Sequence, residues 1–144
     1  MPDSRSSRVI GAPQVEVWEV VSDPHHMPRW WPGVARMEGV HEDRFTQVMK
    51  TRRGRPVRID FRVAASDRPW SCVWSQEIVG TPFARVLHEC TIEVRLEPVQ
   101  RGTEVTLSQH QRLRGYSWTG GLMLRRATAR RLAEALAALE RAFG

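Results

Sequence analysis

The side chains of this sequence that could act on a bound molecule are a histidine, a cysteine, several glutamines and an arginine. His88 and Cys90 lie two positions apart, and Gln109 and Gln111 repeat that spacing. An imidazole with an unperturbed pKa of about 6.5 can donate or accept a proton at neutral pH. His88 is therefore a candidate general acid or base or a hydrogen-bond partner for a ligand. The alternative is a core histidine that a backbone group or a glutamine satisfies.

A second candidate is Arg125, which falls on an otherwise apolar stripe of the last helical segment. A guanidinium forms bidentate pairs with carboxylates and similar anions, so Arg125 could hold the carboxylate or phenolate of a ligand. Alternatively it extends past the helix start into water, or it pairs with a carboxylate such as Glu104.

A spacing of two residues points to strands, and the pattern is clearest between residues 57 and 63. Apolar residues occupy every second position there, namely Val57, Ile59, Phe61 and Val63. The intervening residues are charged, as expected for a strand with one buried face and one wet face. A register slip of one residue would turn Arg58 and Arg62 inward instead.

Six such segments follow one another, at 34–41, 44–51, 56–65, 70–79, 85–97 and 103–114. Short turn signals separate them, so we expect an antiparallel meander. The turn at 80–82 predicts that Cys72 lies near Cys90 and Trp74 near His88, with Gln76 near Val86. Alternation along 85–97 places Val86, His88 and Cys90 on the same face as Ile92, so these side chains are expected to face inward.

Helical patterns lie at the two ends of the chain. Residues 1–7 are polar and expected to be flexible, and a short strand is expected at 8–11. Pro13 suits the first position of a short helix, and a one- or two-turn helix follows with Trp30 and Trp31. Residues 119–143 are rich in Ala, Leu, Arg and Glu and give the strongest helix signal.

This order of elements resembles the Bet v 1-like helix-grip fold of the START/SRPBCC superfamily, in its polyketide cyclase/dehydrase-type branch. The stretches that carry the resemblance are IGAPQVEVWEVVSDPHHMPRWWPGV, GTEVTLSQHQRLRG and GGLMLRRATARRLAEALAALE. It implies an α+β fold in which a curved, antiparallel, seven-stranded sheet wraps around a long C-terminal helix, with two short helices after the first strand. The single domain would span residues 8–144 and enclose a cavity.

In such a cavity protein the inward positions decide the function. We expect cavity-wall residues at Phe45, Gln47, Met49, Phe61, Trp74, Gln76, His88, Cys90, Gln109 and Gln111, and rim residues at Trp30, Trp31, Tyr116, Trp118 and Arg125. Flat aromatic walls suit a polycyclic or polyene ligand, with plain core packing as the alternative use of the tryptophans.

Composition and spacing argue against other classes of protein. The chain has 144 residues and a net charge of +6, but its arginines are scattered, so nucleic-acid binding is not expected. No apolar run is long enough to span a membrane, and the N-terminus lacks the apolar core of a signal peptide, so a cytoplasmic location is expected. Cys72 and Cys90 are expected as reduced thiols, the alternative being a cross-strand disulfide. No HExxH or dense His/Cys set is present, so no metal or other cofactor is expected.

These observations favour a binding protein for a hydrophobic, aromatic or polyketide-like molecule in natural-product biosynthesis, transport or self-resistance. The alternative is a polyketide cyclase/dehydratase-like enzyme that uses His88 with Arg125 and a glutamine. The aromatase/cyclases place polar residues, including an arginine, on the strand that crosses the cavity floor, whereas the inward positions of 57–63 are apolar. A third hypothesis is a nucleic-acid or partner-protein module, and the protein is expected as a monomer or homodimer.

Overall fold

The fold is built from a sheet and three helices in the residues that the computed structural model describes, which are 3–51, 53–115 and 118–144. The strands are β1 Asp3–Ile10, β2 Val34–Glu38, β3 Arg44–Lys50, β4 Pro56–Asp67, β5 Ser71–Gln76, β6 Leu87–Val99 and β7 Gly102–Leu113. The helices are α1 Gln14–Val21, α2 Met27–Trp30 and α3 Trp118–Ala142. Short 3₁₀ turns occur at Pro24–His26 and Pro82–Arg85.

All pairs of neighbouring strands are antiparallel, in the order β1-β7-β6-β5-β4-β3-β2. The meander from β2 to β7 is closed by β1, which returns to pair with the last strand. The long α3 lies across one face of this sheet and contacts β1 and β7. The predicted helix-grip architecture, with its curved antiparallel sheet and long C-terminal helix, is confirmed.

The alternation along β4 has the predicted phase. Phe61 is buried, and Ile59 and Val63 pack against the core from half-buried positions. Arg58 and Arg62 are exposed, and the Nε atom of Arg58 donates to a carboxylate oxygen of Glu38 at 3.0 Å. The alternative register, which would turn the two arginines inward, is thereby excluded.

The first strand is longer than the sequence predicts. β1 pairs with β7 from Asp3, opposite His110, to Ile10, opposite Thr103. The expectation that residues 3–7 are flexible is therefore wrong. Few of these residues are apolar, so a pattern of hydrophobicity cannot detect a strand that backbone hydrogen bonds hold at the sheet edge. Ser4 is nevertheless buried, because its hydroxyl donates to the carbonyl oxygen of Arg125 in α3 at 3.1 Å.

The main core lies between the sheet and the helices. The buried stripe of α3 includes Leu132, Ala135, Leu136 and Leu139 at helical spacing, and these residues belong to the same apolar cluster as Trp74. Burial of each leucine contributes about 1.5–3 kcal/mol relative to exposure. This packing fixes α3 and so fixes the position of every side chain that α3 presents to the sheet.

Candidate functional site

A cavity of about 160 Å³ lies between the inner face of the sheet and α3. It is lined by aliphatic, aromatic, amide, thiol and guanidinium groups. The lining residues are Trp31, Gln47, Ile59, Phe61, Gln76, Phe83, Leu87, Cys90, Ile92, Gln109, Gln111 and Arg131. Strands β3 to β7 supply most of the wall, and α3 supplies Arg131. The structure thus brings together seven of the cavity residues predicted from sequence: Trp31, Gln47, Phe61, Gln76, Cys90, Gln109 and Gln111.

The polar part of the wall includes amide side chains on alternate strands of the sheet, β3, β5 and β7. The Nε2 atom of Gln47 donates to the sulfur of Met27 at 3.3 Å, in a fully buried contact. The Nε2 atom of Gln76 is buried without a hydrogen-bond partner among the described residues. A buried donor that lacks a partner costs free energy, and a bound acceptor would recover it. Gln76 is therefore suited to binding a ligand oxygen.

A second polar group surrounds Cys90. The Nε2 atom of Gln109 donates to the Cys90 sulfur at 3.4 Å, and the nearby Gln111 amide also stabilises the thiolate form and opposes the rise of its pKa. The Oε1 atom of Gln111 accepts a hydrogen bond from the Thr128 hydroxyl at 3.2 Å. Burial raises the pKa of the Cys90 thiol, against the opposing effects of Gln109, Gln111 and Arg131. At neutral pH Cys90 therefore stays a neutral thiol.

Arg131 stands where the cavity meets the surface. Its Nη2 atom donates to the carbonyl oxygen of Pro32 at 3.3 Å, which links α3 to the segment that follows α2. The residue as a whole is exposed, yet it lines the cavity. Partial burial of the guanidinium lowers its pKa, although an arginine remains charged. Among the described lining residues, Arg131 carries the sole formal charge at neutral pH.

The aromatic residues form a chain of contacts around and behind the cavity. Trp31 packs edge to face with Trp30 and Trp74, at ring-centroid distances of 5.4 and 6.1 Å. Phe45 packs edge to face with Trp74 and stacks on Phe61 at 5.3 Å. Of these rings, Trp31 and Phe61 reach the cavity, whereas the other three support them from the core. Trp31 is held between two other rings and Phe61 rests against Phe45, so the aromatic part of the wall is rigid.

His88 does not lie in the cavity wall, and the expected position is wrong. The pairing of β6 with β7 shifts between Leu87 and Glu89, so a β-bulge interrupts the alternation that the sequence indicates. Leu87 is buried and lines the cavity, whereas His88 is exposed. A bulge inserts one residue and turns the following side chain to the other face. Val86, also expected inside, is 56% exposed because it lies outside β6, at the end of the 3₁₀ turn Pro82–Arg85.

The predicted hairpin between β5 and β6 has the wrong register. Cys72 pairs with Val94 and Trp74 with Ile92, four positions away from the expected partners Cys90 and His88. The connection spans residues 77–86 and contains a 3₁₀ turn, so it is far longer than the turn expected at 80–82. Its Phe83 contributes to the cavity. Cys72 and Cys90 are free thiols, which excludes the cross-strand disulfide.

Arg125 is exposed and is not among the residues that line the cavity, so its expected place at the rim is wrong. The α3 backbone at Arg125 lies against β1, where its carbonyl oxygen accepts the Ser4 hydroxyl, and the long side chain extends into water. Arg131, six residues later, occupies the cavity position instead. Tyr116 and the side chain of Trp118 lie outside the described residues.

The remaining predicted residues take supporting positions. Trp30, Phe45 and Trp74 are buried in the core behind the cavity, and Met49 is half-buried near Gly33. Phe83, Leu87 and Arg131 line the cavity but are not predicted from the sequence. The signal for Arg131 is its position between Thr128 and Ala135, which lie three before and four after it on α3 and are both buried.

A larger concavity, of about 590 Å³, lies on the outer face of the sheet. Its walls include Asp3, whose carboxylate hydrogen-bonds the ring of His110, together with Arg5 and Glu93. These are side chains of a solvated sheet surface, which would leave most of a ligand in water. Ligand sites normally bury most of the ligand, so the smaller interior cavity is the candidate site.

The described residues also bear on metal binding and membrane insertion. In residues 3–51, 53–115 and 118–144, no three His, Cys, Asp or Glu side chains are grouped so as to hold a metal ion. The helices in this part of the chain are all too short or too polar to cross a bilayer.

The sheet that grips a long helix, with a cavity between them, defines a protein of the helix-grip class. The chain belongs to the family described as polyketide cyclase / dehydrase and lipid transport, whose model matches residues 1–144. The structure also resembles a START superfamily protein from Mycobacterium smegmatis, with a TM-score of 0.77 and 11% identity over 98% of this chain and 96% of that chain. A search of curated proteins finds no match.

Two further solved structures extend the comparison. The di-domain ARO/CYC protein BexL of the BE-7585A biosynthetic pathway has a TM-score of 0.80 and 26% identity, over 98% of this chain and 46% of that chain. This chain therefore spans about half of that di-domain protein. XoxI from Bacillus cereus has a TM-score of 0.77 and 17% identity, over 99% of this chain and 96% of that chain. The family supports a general role in hydrophobic-ligand binding or cyclisation.

Proposed function

We propose that this protein binds a small hydrophobic molecule, built around one aromatic ring, in the cavity between the sheet and α3. The observation that carries the proposal is the cavity itself, in which aromatic and aliphatic walls surround a few amide groups. Sites of this composition bind through the apolar walls and orient the ligand through the polar groups. The buried Nε2 atom of Gln76, which lacks a partner in the described part of the chain, is one such group.

The size of the cavity narrows the ligand class. An apolar cavity of about 150 Å³ accommodates a benzene ring, whereas pockets for drug-sized ligands measure about 300–1,000 Å³. At about 160 Å³, the cavity matches a single substituted ring. A polycyclic ligand, which the number of tryptophans suggests from sequence, exceeds this volume. Trp74 and Phe45 pack in the core behind Trp31 and Phe61, so their rings support the wall and do not widen the space.

The setting we propose is natural-product biosynthesis, transport or self-resistance. The similarity to BexL, which is named as part of a biosynthetic pathway, supports this setting. A one-ring precursor or product of such a pathway would fit the cavity. Binding would remove a reactive or toxic aromatic compound from water and return it unchanged.

The test is calorimetric titration with a panel of one-ring and three-ring aromatic compounds. We expect binding of one-ring compounds and no binding of three-ring compounds. Gln109→Phe places a ring in the cavity and should abolish binding. The matched control is Ser108→Phe, because Ser108 neighbours Gln109 on β7 but faces the outer concavity. Circular dichroism should show that both variants fold. Equal binding by the two folded variants would reject the cavity as the site.

The second candidate is a cyclase that acts in the same cavity, and the likeness to the ARO/CYC protein BexL favours it. Gln76 and Arg131 could polarise a carbonyl oxygen there. The described lining residues include no carboxylate or imidazole to accept a proton, and His88 is exposed outside the cavity. Binding therefore has the stronger support. Two results together would favour the cyclase instead. A β-ketone substrate would be recovered in cyclised form, and the parent protein and His88→Ala would cyclise it at equal rates.

A further inference from the structure

We propose that the cavity selects an aromatic ligand that carries an anionic oxygen, a carboxylate or a phenolate, and that Arg131 binds this oxygen together with the amides of Gln109 and Gln111. The inference rests on the proposed binding function and adds the charge of the ligand and the side chains that recognise it.

Amide donors converge beside the Cys90 sulfur. Gln109 donates to the Cys90 sulfur at 3.4 Å. The amide carbonyl of Gln111 is held by the Thr128 hydroxyl, which leaves its N–H₂ end for the same thiol. A thiol sulfur is a weak acceptor. Two amide donors are thus directed at a poor partner, and a ligand oxygen beside the thiol would accept from them more strongly.

The positive charge of Arg131 has no carboxylate partner among the described residues of the cavity wall. Arg131 is the single charged residue among the described residues of the cavity wall, and its hydrogen bond goes to the neutral carbonyl oxygen of Pro32. Glu134, one turn further along α3, acts on Arg131 electrostatically but is exposed and does not line the cavity. A partly buried guanidinium without a carboxylate in its cavity is compensated best by an anion. The raised pKa of Cys90 keeps the thiol from being that anion.

The cavity has both an apolar wall and a group of polar donors. Trp31 and Phe61 offer ring faces and edges to the cavity, and Ile92 adds an aliphatic surface. A single aromatic ring fills the apolar part, and one charged substituent reaches the donors. The arrangement therefore fits an arene carboxylate or a phenolate better than a neutral hydrocarbon.

The experiment compares benzoate with its neutral isostere benzamide by calorimetric titration at constant salt. For the parent protein we expect benzoate to bind at least tenfold more tightly than benzamide. Arg131→Gln should weaken benzoate binding at least tenfold and change benzamide binding less than twofold. Arg125→Gln is the matched control, an exposed arginine on the same helix, and should change neither. Arg131→Lys retains the charge and should recover most of the preference for benzoate.

Two results would overturn the proposal. One is equal affinity of the parent protein for benzoate and benzamide. The other is an equal loss of both ligands in Arg131→Gln, which would assign Arg131 a structural role through Pro32. In either case a ligand still occupies the cavity and should slow the reaction of Cys90 with methyl methanethiosulfonate. The reaction of Cys72, which does not line the cavity, is the reference. If neither compound binds and neither protects Cys90, the binding function and the charge preference both fail.

Discussion

The hydroxyl of Thr128 donates a hydrogen bond to the Oε1 atom of Gln111 at 3.2 Å, and this contact joins α3 to β7 beside the cavity. Thr128 is buried, and Gln111 is half-buried. The bond fixes which end of the Gln111 amide faces Cys90. A helix residue outside the cavity wall thereby determines the donor that the wall presents.

Thr128→Val preserves the shape of this side chain and removes its donor. We expect a loss of about 1 kcal/mol in the free energy of unfolding, because the Gln111 carbonyl loses its partner. Urea denaturation measures this loss. Thr106→Val is the control, since the Thr106 hydroxyl bonds Ser7 at 2.8 Å in an exposed position on the outer face. Equal losses in the two variants would show that the Thr128 contact adds nothing specific.

Gly102 begins β7 with a φ of +139°, a conformation that side chains rarely adopt. A Cβ atom there would lie 2.1 Å from the carbonyl oxygen of Ile10. Gly102→Ala should therefore lower the free energy of unfolding by at least about 3 kcal/mol. Gly54→Ala is the control, because Gly54 has a φ of +76° but open space around it, so backbone strain of about 1 kcal/mol is expected. Similar losses would show that the clash with Ile10 is relieved.

The buried thiol of Cys72 makes the free energy of unfolding depend on pH in the alkaline range. Burial raises the pKa of the Cys72 thiol from 9.0 to about 12, and Glu93 adds to this effect. The folded protein therefore holds this proton more strongly than the unfolded chain. Its contribution is complete below pH 9 and is lost as the pH rises from 9 towards 12, by up to about 1.4 kcal/mol per pH unit.

The comparison is between the parent protein and Cys72→Ala, by urea denaturation at several pH values between 8 and 11. The variant should lose less stability with rising pH than the parent, whatever its stability at pH 8. Cys90, whose pKa is also raised, contributes equally to both. Parallel curves for the two proteins would contradict a buried, proton-retaining Cys72.

The sequence predicts the parts of this fold in which burial alternates regularly. β4 is such a part, because Phe61 faces the core and Arg58 faces water along an uninterrupted strand. The helix-grip fold as a whole is predicted from the resemblance of the N-terminal and C-terminal segments to the START/SRPBCC superfamily. β1 is only partly predictable, because its polar residues 3–7 pair through backbone groups that leave no pattern in the side chains.

The errors at the candidate site have two physical sources, a β-bulge in β6 and the placement of α3 on the sheet. One extra residue between Leu87 and Glu89 is enough to move His88 from the expected inner face to the outer face. On α3, helical periodicity places Arg125 and the buried leucines on one stripe, but it gives no information on where the helix passes the sheet edge. Arg131 lies off that stripe and still reaches the cavity, because a long side chain at the flank can extend to the rim.

The last prediction concerns Gln76, whose Nε2 atom is buried without a partner in the described residues. Gln76→Met keeps the length of the side chain and removes the unsatisfied donor. We expect the free energy of unfolding to rise by about 1 kcal/mol. Folding removes water from the Gln76 amide without giving its N–H₂ group a partner, and methionine avoids this cost. We also expect the affinity for a one-ring ligand to fall at least fivefold, since a ligand oxygen loses that donor. Such a gain in stability with a loss of binding is typical of a side chain retained for function.

Gln109→Met is the matched control, because the Gln109 amide already donates to Cys90. Its loss should leave stability unchanged or lower, so the two variants should shift the urea midpoint in different directions. Calorimetric titration of both variants with benzoate supplies the affinities. A Gln76→Met protein that is less stable than its parent would show that the amide has a partner when folded, such as a bound water. Gln76 would then be a structural residue of the wall, and recognition of the ligand oxygen would rest on Gln109, Gln111 and Arg131 alone.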